Sequence, residues 1–172
     1  MSEAIICETT AQFLAMKMSL RDGRYGFEPN PGTPPPIARD DYLSVYMGGT
    51  RNLSRDDNHI DEISTLIVAV WRATGQYPRD RWRNIYAENS RGLVDVARQV
   101  VKYVSGSYEL MEAINDARSA GHIYQLPLQY RSKSAPRAET DEFASVENPP
   151  TWMVQRIEFE GMLRVQDIAY YA

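Results

Sequence analysis

The stretch EISTLIVAVWR, Glu62 to Arg72, is apolar on both of its alternating faces, with Leu66, Val68 and Val70 on one and Ile63, Ile67, Ala69 and Trp71 on the other. Successive side chains of a strand point to opposite sides of the sheet, so one wet face would leave a whole apolar row in water. A strand of this kind is central in its sheet and covered on both sides. The remaining sequence has to supply that cover.

A second long strand is legible near the other end of the chain. MVQRIEFEGMLRVQ puts Ile157, Phe159, Leu163 and Val165 on one face and Arg156, Glu158, Glu160 and Arg164 on the other, which predicts a half-buried strand with a charged face. YLSVYM (Tyr42 to Met47) predicts a strand stopped by Gly48 and Gly49, and GGTRNLSRDDNHID after it reads as an exposed loop. In HIYQLPLQY, Pro127 marks an edge strand or a bulge, because proline cannot donate to a ladder.

Helical spacing supplies the cover. From Ala4 to Leu20 the residues Ile5, Ile6, Thr9, Phe13, Met16 and Leu20 share a narrow arc behind Ser2 as cap. GLVDVARQVVKYV gathers Leu93, Val94, Val96, Ala97, Val100, Val101 and Val104 on a broad apolar side with Asp95, Arg98, Gln99 and Lys102 opposite. Ser107 is placed to cap a further helix carrying Leu110, Met111 and Ile114, with Gly121 to end it. A short helix opened by Pro78 would carry Trp82, Ile85 and Tyr86. Residues 21–41 form a Pro/Gly-rich connector, and 131–150 read as an extended polar loop or arm. The expectation is a single domain over 1–172 of α+β class: a mixed, largely antiparallel sheet of about four or five strands covered by about three or four helices, with long extended loops.

Charge and composition exclude some functions. A net charge of -4 and a pI near 5.2 are the opposite of the basic surface that grips nucleic acid. The single cysteine, Cys7, cannot close an internal disulfide and falls in a helical pattern, which suggests a packed thiol in a reducing compartment. No apolar run reaches membrane-spanning length, and MSEAIICETT lacks the marks of a signal peptide, so a soluble intracellular product is expected.

The acidic cluster Asp56, Asp57, Asp61 and Glu62, with His59, invites a metal reading. Counted from Asp56 as a calcium loop, Ile60 stands at the fifth position, Asp61 replaces the turn glycine and Ile67 replaces the bidentate glutamate. A zinc site would want several histidines, and His59 and His122 are far apart in sequence. The alternative function from this cluster, a small metal-dependent hydrolase using Asp56, Asp57, His59 and Asp61, therefore has residue types without a template. VSGSYE resembles a nucleophile elbow only superficially, and GGTRNLS lacks the phosphate-loop lysine. Glu158 and Glu160 share a strand face as an acid/base pair could, but Arg156 and Arg164 share it too, which favours a salt-bridged surface or subunit interface. Arg51 and Arg55 stand beside Asp56, Asp57, Asp61 and Glu62 and form a second interface candidate. Arg79, Arg81 and Arg83 around Trp82 form the patch best suited to touching DNA, with pairing to Asp80, Glu88 or a neighbouring subunit as the alternative. No catalytic residue, metal or cofactor is assigned.

In their order, the helix AIICETTAQFLAMKM, the strand DEISTLIVAVWRATG, PRDRWRNIY leading into GLVDVARQVVKYV, and the strand RIEFEGMLRVQ resemble the small neck proteins of long-tailed bacteriophages, most nearly the tail-terminator family. The resemblance implies a non-enzymatic virion protein that forms a homo-hexameric ring on the tail tube, stops its polymerisation and meets the neck and connector proteins, while DNA passes through without specific binding. A head-completion or adaptor protein of the same neck is the neighbouring possibility. Pro29 to Pro36 and the polar run from Arg131 to Pro150 depart from a typical small terminator.

Overall fold

The computed structural model describes residues 2–20, 25–27, 42–55, 59–73, 92–117, 122–140 and 151–165. Helix α1 (Ser2–Met18) is followed by strands β1 (Tyr25–Phe27), β2 (Tyr42–Arg55) and β3 (Ile60–Ala73), then helices α2 (Leu93–Val104) and α3 (Tyr108–Ala117), and strands β4 (His122–Tyr124), β5 (Gln129–Lys133), β6 (Arg137–Thr140) and β7 (Thr151–Val165). They form a 7-stranded sheet in which β1, β2, β3 and β7 lie side by side and β4, β5 and β6 all pair with β7. Only β1 to β2 is parallel. This is the mixed, largely antiparallel α+β architecture that the patterning predicts. The strand count is higher because the outermost lane is assembled from three short pieces, against residues 163–165, 157–160 and 151–154 of β7.

The pattern of β3 explains its place between β2 and β7. Leu66, Val68 and Val70 join Leu43 and Val45 of β2 and Ile157, Phe159 and Leu163 of β7 in the main core. Helix α1 adds Ile6, Cys7, Ala11, Phe13 and Leu14, and α2 adds Leu93, Val96, Ala97, Val100 and Val104. On the opposite face Tyr46, Ala69, Trp71, Trp152 and Val154 make a second buried cluster. There the rings of Trp71 and Trp152 meet edge to face with centroids 6.4 Å apart, and Trp71 Nε1 donates to Ser44 Oγ at 2.9 Å.

Three expectations are corrected. The exposed loop expected over 48–61 is largely strand: β2 continues through the glycines to Arg55, and β3 starts at Ile60. The glycines serve a bulge between Met47 and Gly49, where a Cβ on Gly48 would come within 3.0 Å of Ile67 Cδ1. The polar segment expected as an arm over 131–150 instead supplies most of β5 and all of β6, and its residues 141–150 lie outside the described ones. β5 is exposed along its whole length and β6 over Arg137 and Ala138, and exposed residues need no apolar period, so no strand signal stands there. The connector expected over 21–41 contributes β1, while 28–41 and the short helix at Pro78 lie outside the described residues.

Helix α1 turns Ile6, Cys7, Thr10, Ala11, Phe13 and Leu14 inward, and leaves Met16 63% exposed, so its buried side is rotated from the predicted arc. Ser107 caps α3 as expected, accepting from the amide of Leu110 at 3.1 Å. The helix is fastened to the sheet by Asn115, whose Oδ1 accepts from the Tyr124 amide at 2.9 Å while its Nδ2 donates to the Tyr124 carbonyl at 3.1 Å. The Tyr124 ring can lie flat over β7 because residue 161 is glycine; a Cβ there would meet Tyr124 Cε1 at 2.6 Å and Leu128 Cδ2 at 2.7 Å. Among the described residues no helix is long and apolar enough to cross a membrane.

Two outcomes follow from this packing. Gly161→Ala is expected to destabilise by about 1–3 kcal/mol through overpacking, read as a lower urea midpoint at unchanged slope. Burial, helped by the nearby Glu3 and Glu8, pushes the Cys7 thiol up to about 12, so it stays protonated at neutral pH. Alkylation of Cys7 by iodoacetamide at pH 8 is expected to track global unfolding; rapid labelling of the native chain would contradict that burial.

Candidate functional site

The residues with most side-chain chemistry lie on the sheet face turned away from the helices, along the even-numbered positions of β7. Arg156 is the hub. Its Nη1 and Nη2 donate to the two carboxylate oxygens of Glu139 on β6 at 2.7 and 3.2 Å, and its Nε donates to Tyr46 Oη on β2 at 3.1 Å. Its guanidinium carbon lies 5.4 Å from the centroid of the Trp71 ring. The Arg156 amide donates to Ser134 Oγ at 3.0 Å, and Ser134 returns a backbone bond to the Arg156 carbonyl at 2.8 Å. One side chain thus ties β2, β3, β6 and β7 together. The Glu139 carboxylate holds the guanidinium proton more firmly still, and burial raises the Tyr46 phenol despite the neighbouring Arg156.

Along the same row Glu158 accepts from Ser132 Oγ at 3.3 Å, and Glu160 faces Arg131 at 3.6 Å. The two carboxylates stand on one face as the sequence implies, but each is engaged by a different residue of β5. At the far end Arg164 donates through Nε and Nη2 to the two oxygens of Asp61 at 2.8 and 3.1 Å, which is a bidentate pair. Ser54 Oγ also donates to Asp61 at 3.3 Å, and His59 Nε2 lies 3.8 Å away. The hydrogen bonds from Arg164 are the main reason that the Asp61 carboxyl titrates below its ordinary value of 3.8.

Asp61 and Glu62 do not form one charged loop, as the sequence suggests. Both are strand residues and both are buried; Asp61 pairs with Arg164, and Glu62 pairs in register with Leu163 on the helix-covered face. The alternation of β3 sends the two carboxylates to opposite sides. Arg51 and Arg55 remain exposed on β2. Asp56 and Asp57, and Arg79, Arg81 and Arg83, lie outside the described residues. Among the described residues no group of three or more His, Cys, Asp and Glu is placed to hold a metal ion. With both oxygens of Asp61 on a guanidinium, the carboxylate is committed to a structural pair rather than offered to a substrate.

Sequence reasoning missed Glu139, Tyr46, Ser134 and Ser54. Only alternation within YLSVYM could have put Tyr46 on the outer face, and nothing local pairs Glu139 with Arg156. The charged row stands beside the half-buried Ile63, Thr65 and Ile67 of β3, so this part of the face is amphipathic. Among the described residues its carboxylates are engaged by separate partners, and no pair of them converges on a common point.

No family model matches the chain, and no curated protein matches it. One solved structure is similar over 87% of this chain and 88% of its own, with 14% identity and a TM-score of 0.36, too low for an argument to rest on.

The Asp61–Arg164 pair has a pH signature. Because its folded carboxyl titrates below the ordinary 3.8, the pair adds stability that is complete above that value and lost as pH falls through the folded value. Asp61→Asn is expected to lower the urea midpoint at pH 7 and to shrink the difference in midpoint between pH 7 and pH 3; an unchanged difference would show that Asp61 is not responsible.

Proposed function

We propose that the chain is a structural, non-enzymatic subunit that assembles into a ring at the head-tail junction of a long-tailed bacteriophage, ending the tail tube and joining it to the neck. The observation that carries the proposal is the outer sheet face, where the half-buried Ile63, Thr65 and Ile67 stand beside the ion-paired row of β7. Apolar groups rimmed by satisfied charges are the composition of a surface made to be covered by another protein. The order of helices and strands that resembles the neck proteins is consistent with this use.

In this reading the partners are further copies of the chain in a hexameric ring, the tail tube protein, and the neck or connector proteins above, and the protein resides in the virion after assembly in the host cytoplasm. A net charge of -4 suits a passage through which DNA slides without being held. A head-completion or adaptor role at the same junction would use the same face.

Native mass spectrometry of the purified full chain, and negative-stain imaging after mixing with tail tubes, test the proposal. A hexameric ring that caps tube ends is expected. A chain that stays monomeric at all concentrations and never binds tubes would overturn it.

A further inference from the structure

The outer lane of the sheet ends in an edge that no strand among the described residues covers. No strand among the described residues pairs with the far side of β5 or β6, and all of β5 is exposed. The Tyr130 amide is taken by Ser105 Oγ at 3.0 Å, but beyond that point the edge carries Arg131, Lys133 and Arg137 in the run RSKSAPR, all exposed and with no acidic residue between them. Arg131 is held only loosely by Glu160 at 3.6 Å, and Lys133 and Arg137 make no ion pair among the described residues. Such cations keep two edges of the same kind from pairing. They also leave the edge basic on both sides, Lys133 in register with Ile157 of the helix-covered face and Arg137 with Val154 of the outer face, on a chain whose net charge is negative.

The complementary charge stands on α3. Its sequence YELMEAINDA contains no lysine or arginine and places Glu109, Glu112 and Asp116 along one exposed side at helical spacing. Lys17 of α1 neutralises Glu109 at 2.8 Å, whereas Glu112 and Asp116 make no ion pair among the described residues.

The two surfaces lie toward opposite ends of β7. Arg137 is in register with Val154 and Lys133 with Ile157, while α3 is fastened by Asn115 to Tyr124, which is in register with Leu163. At ~3.3 Å per residue, Leu163 lies about 20 Å along β7 from Ile157 and about 30 Å from Val154, and among the described residues Lys133 and Arg137 cannot pair with the carboxylates of α3 in their own copy. Two copies can.

We propose that the basic edge of β5 and β6 in one subunit docks the acidic side of α3 in a second copy, head to tail. The inference rests on the ring reading and names the contact within it. A helix laid along an exposed edge covers its unpaired amides, and carboxylates are suitable acceptors for them. A contact between two different surfaces of the same chain is heterologous, and heterologous contacts whose rotation closes form rings, whereas self-complementary ones form two-fold dimers.

Charge reversal tests the contact in the full-length chain. The double variants K133E/R137E and E112K/D116K replace exposed side chains and are expected to keep the wild-type thermal unfolding midpoint. Each alone is expected to raise the concentration at half-assembly by roughly tenfold or more through like-charge repulsion. Mixing the two variants one to one, or combining all four changes in one chain, is expected to restore assembly, because every contact again joins opposite charges. Rings formed normally by either variant alone, or a mixture that fails to assemble, would overturn the contact while leaving the ring reading standing. An unsubstituted chain that never assembles would remove both.

Discussion

The antiparallel pairing of β3 with β7 is the constraint on which the remaining structure depends. It runs in unbroken register from Ile60–Val165 to Ala73–Trp152. Because side chains alternate, a slip of one residue would turn Arg156, Glu158, Glu160 and Arg164 under the helices and put Ile157 and Phe159 in water. Uncompensated charges in an apolar layer cost several kcal/mol each, so burial alone makes the register decisive. The ion pair between Asp61 and Arg164, which are direct cross-strand partners, forms only in that register. Apolar burial and electrostatics select the same alignment.

From β7 outward the stabilising forces change. The lane of β4, β5 and β6 contributes few buried residues, chiefly Tyr124 and Leu128 where the chain passes over Gly161. Its later part is held by polar side chains instead. Ser134 bonds the backbone of Arg156 in both directions and accepts from Gln155 Nε2 at 2.8 Å, and Glu139 holds the guanidinium. Gln155 Oε1 is buried with no hydrogen-bond partner among the described residues, and a polar atom left so costs about 1–3 kcal/mol against that attachment. A segment held in this way is part of the fold, so removing it would disturb the Arg156 hub and not merely shorten an arm.

What could be read from the sequence follows burial closely. The strands β3 and β7 and the helix α2 were legible because a buried face imposes a period on the residues that line it. In α1 small and thiol-bearing residues such as Cys7 and Ala11 line the core while Met16 faces water, so hydrophobicity alone located the helix and misjudged its rotation. β5 and β6 were illegible because their exposed residues obey no period, and the end of β2 was hidden by glycines that permit a bulge. The candidate site was half legible. Alternation placed Arg156, Glu158, Glu160 and Arg164 on one face, but the identity of their partners depends on which strands lie beside β7, and sequence spacing does not carry that.

The two polar surfaces of the sheet differ in how complete they are. On the outer face Arg156 and Arg164 already hold bidentate carboxylates, so covering that face desolvates pairs rather than isolated charges. Such a face contributes area through Ile63, Thr65 and Ile67, yet its satisfied charges have little left to exchange with a partner and give it little power to choose an orientation. On the edge of the lane Lys133 and Arg137 stand without ion-pair partners among the described residues, and unsatisfied charge is what steers and orients association. An assembly of identical subunits around a closed axis needs both properties: contact area large enough to persist and a directional contact that joins unlike surfaces. In the proposed ring, the area would lie on one side of β7 and the unpaired charge at the edge beyond it, so a single sheet would supply the two separately and each could change without disturbing the β3–β7 register beneath.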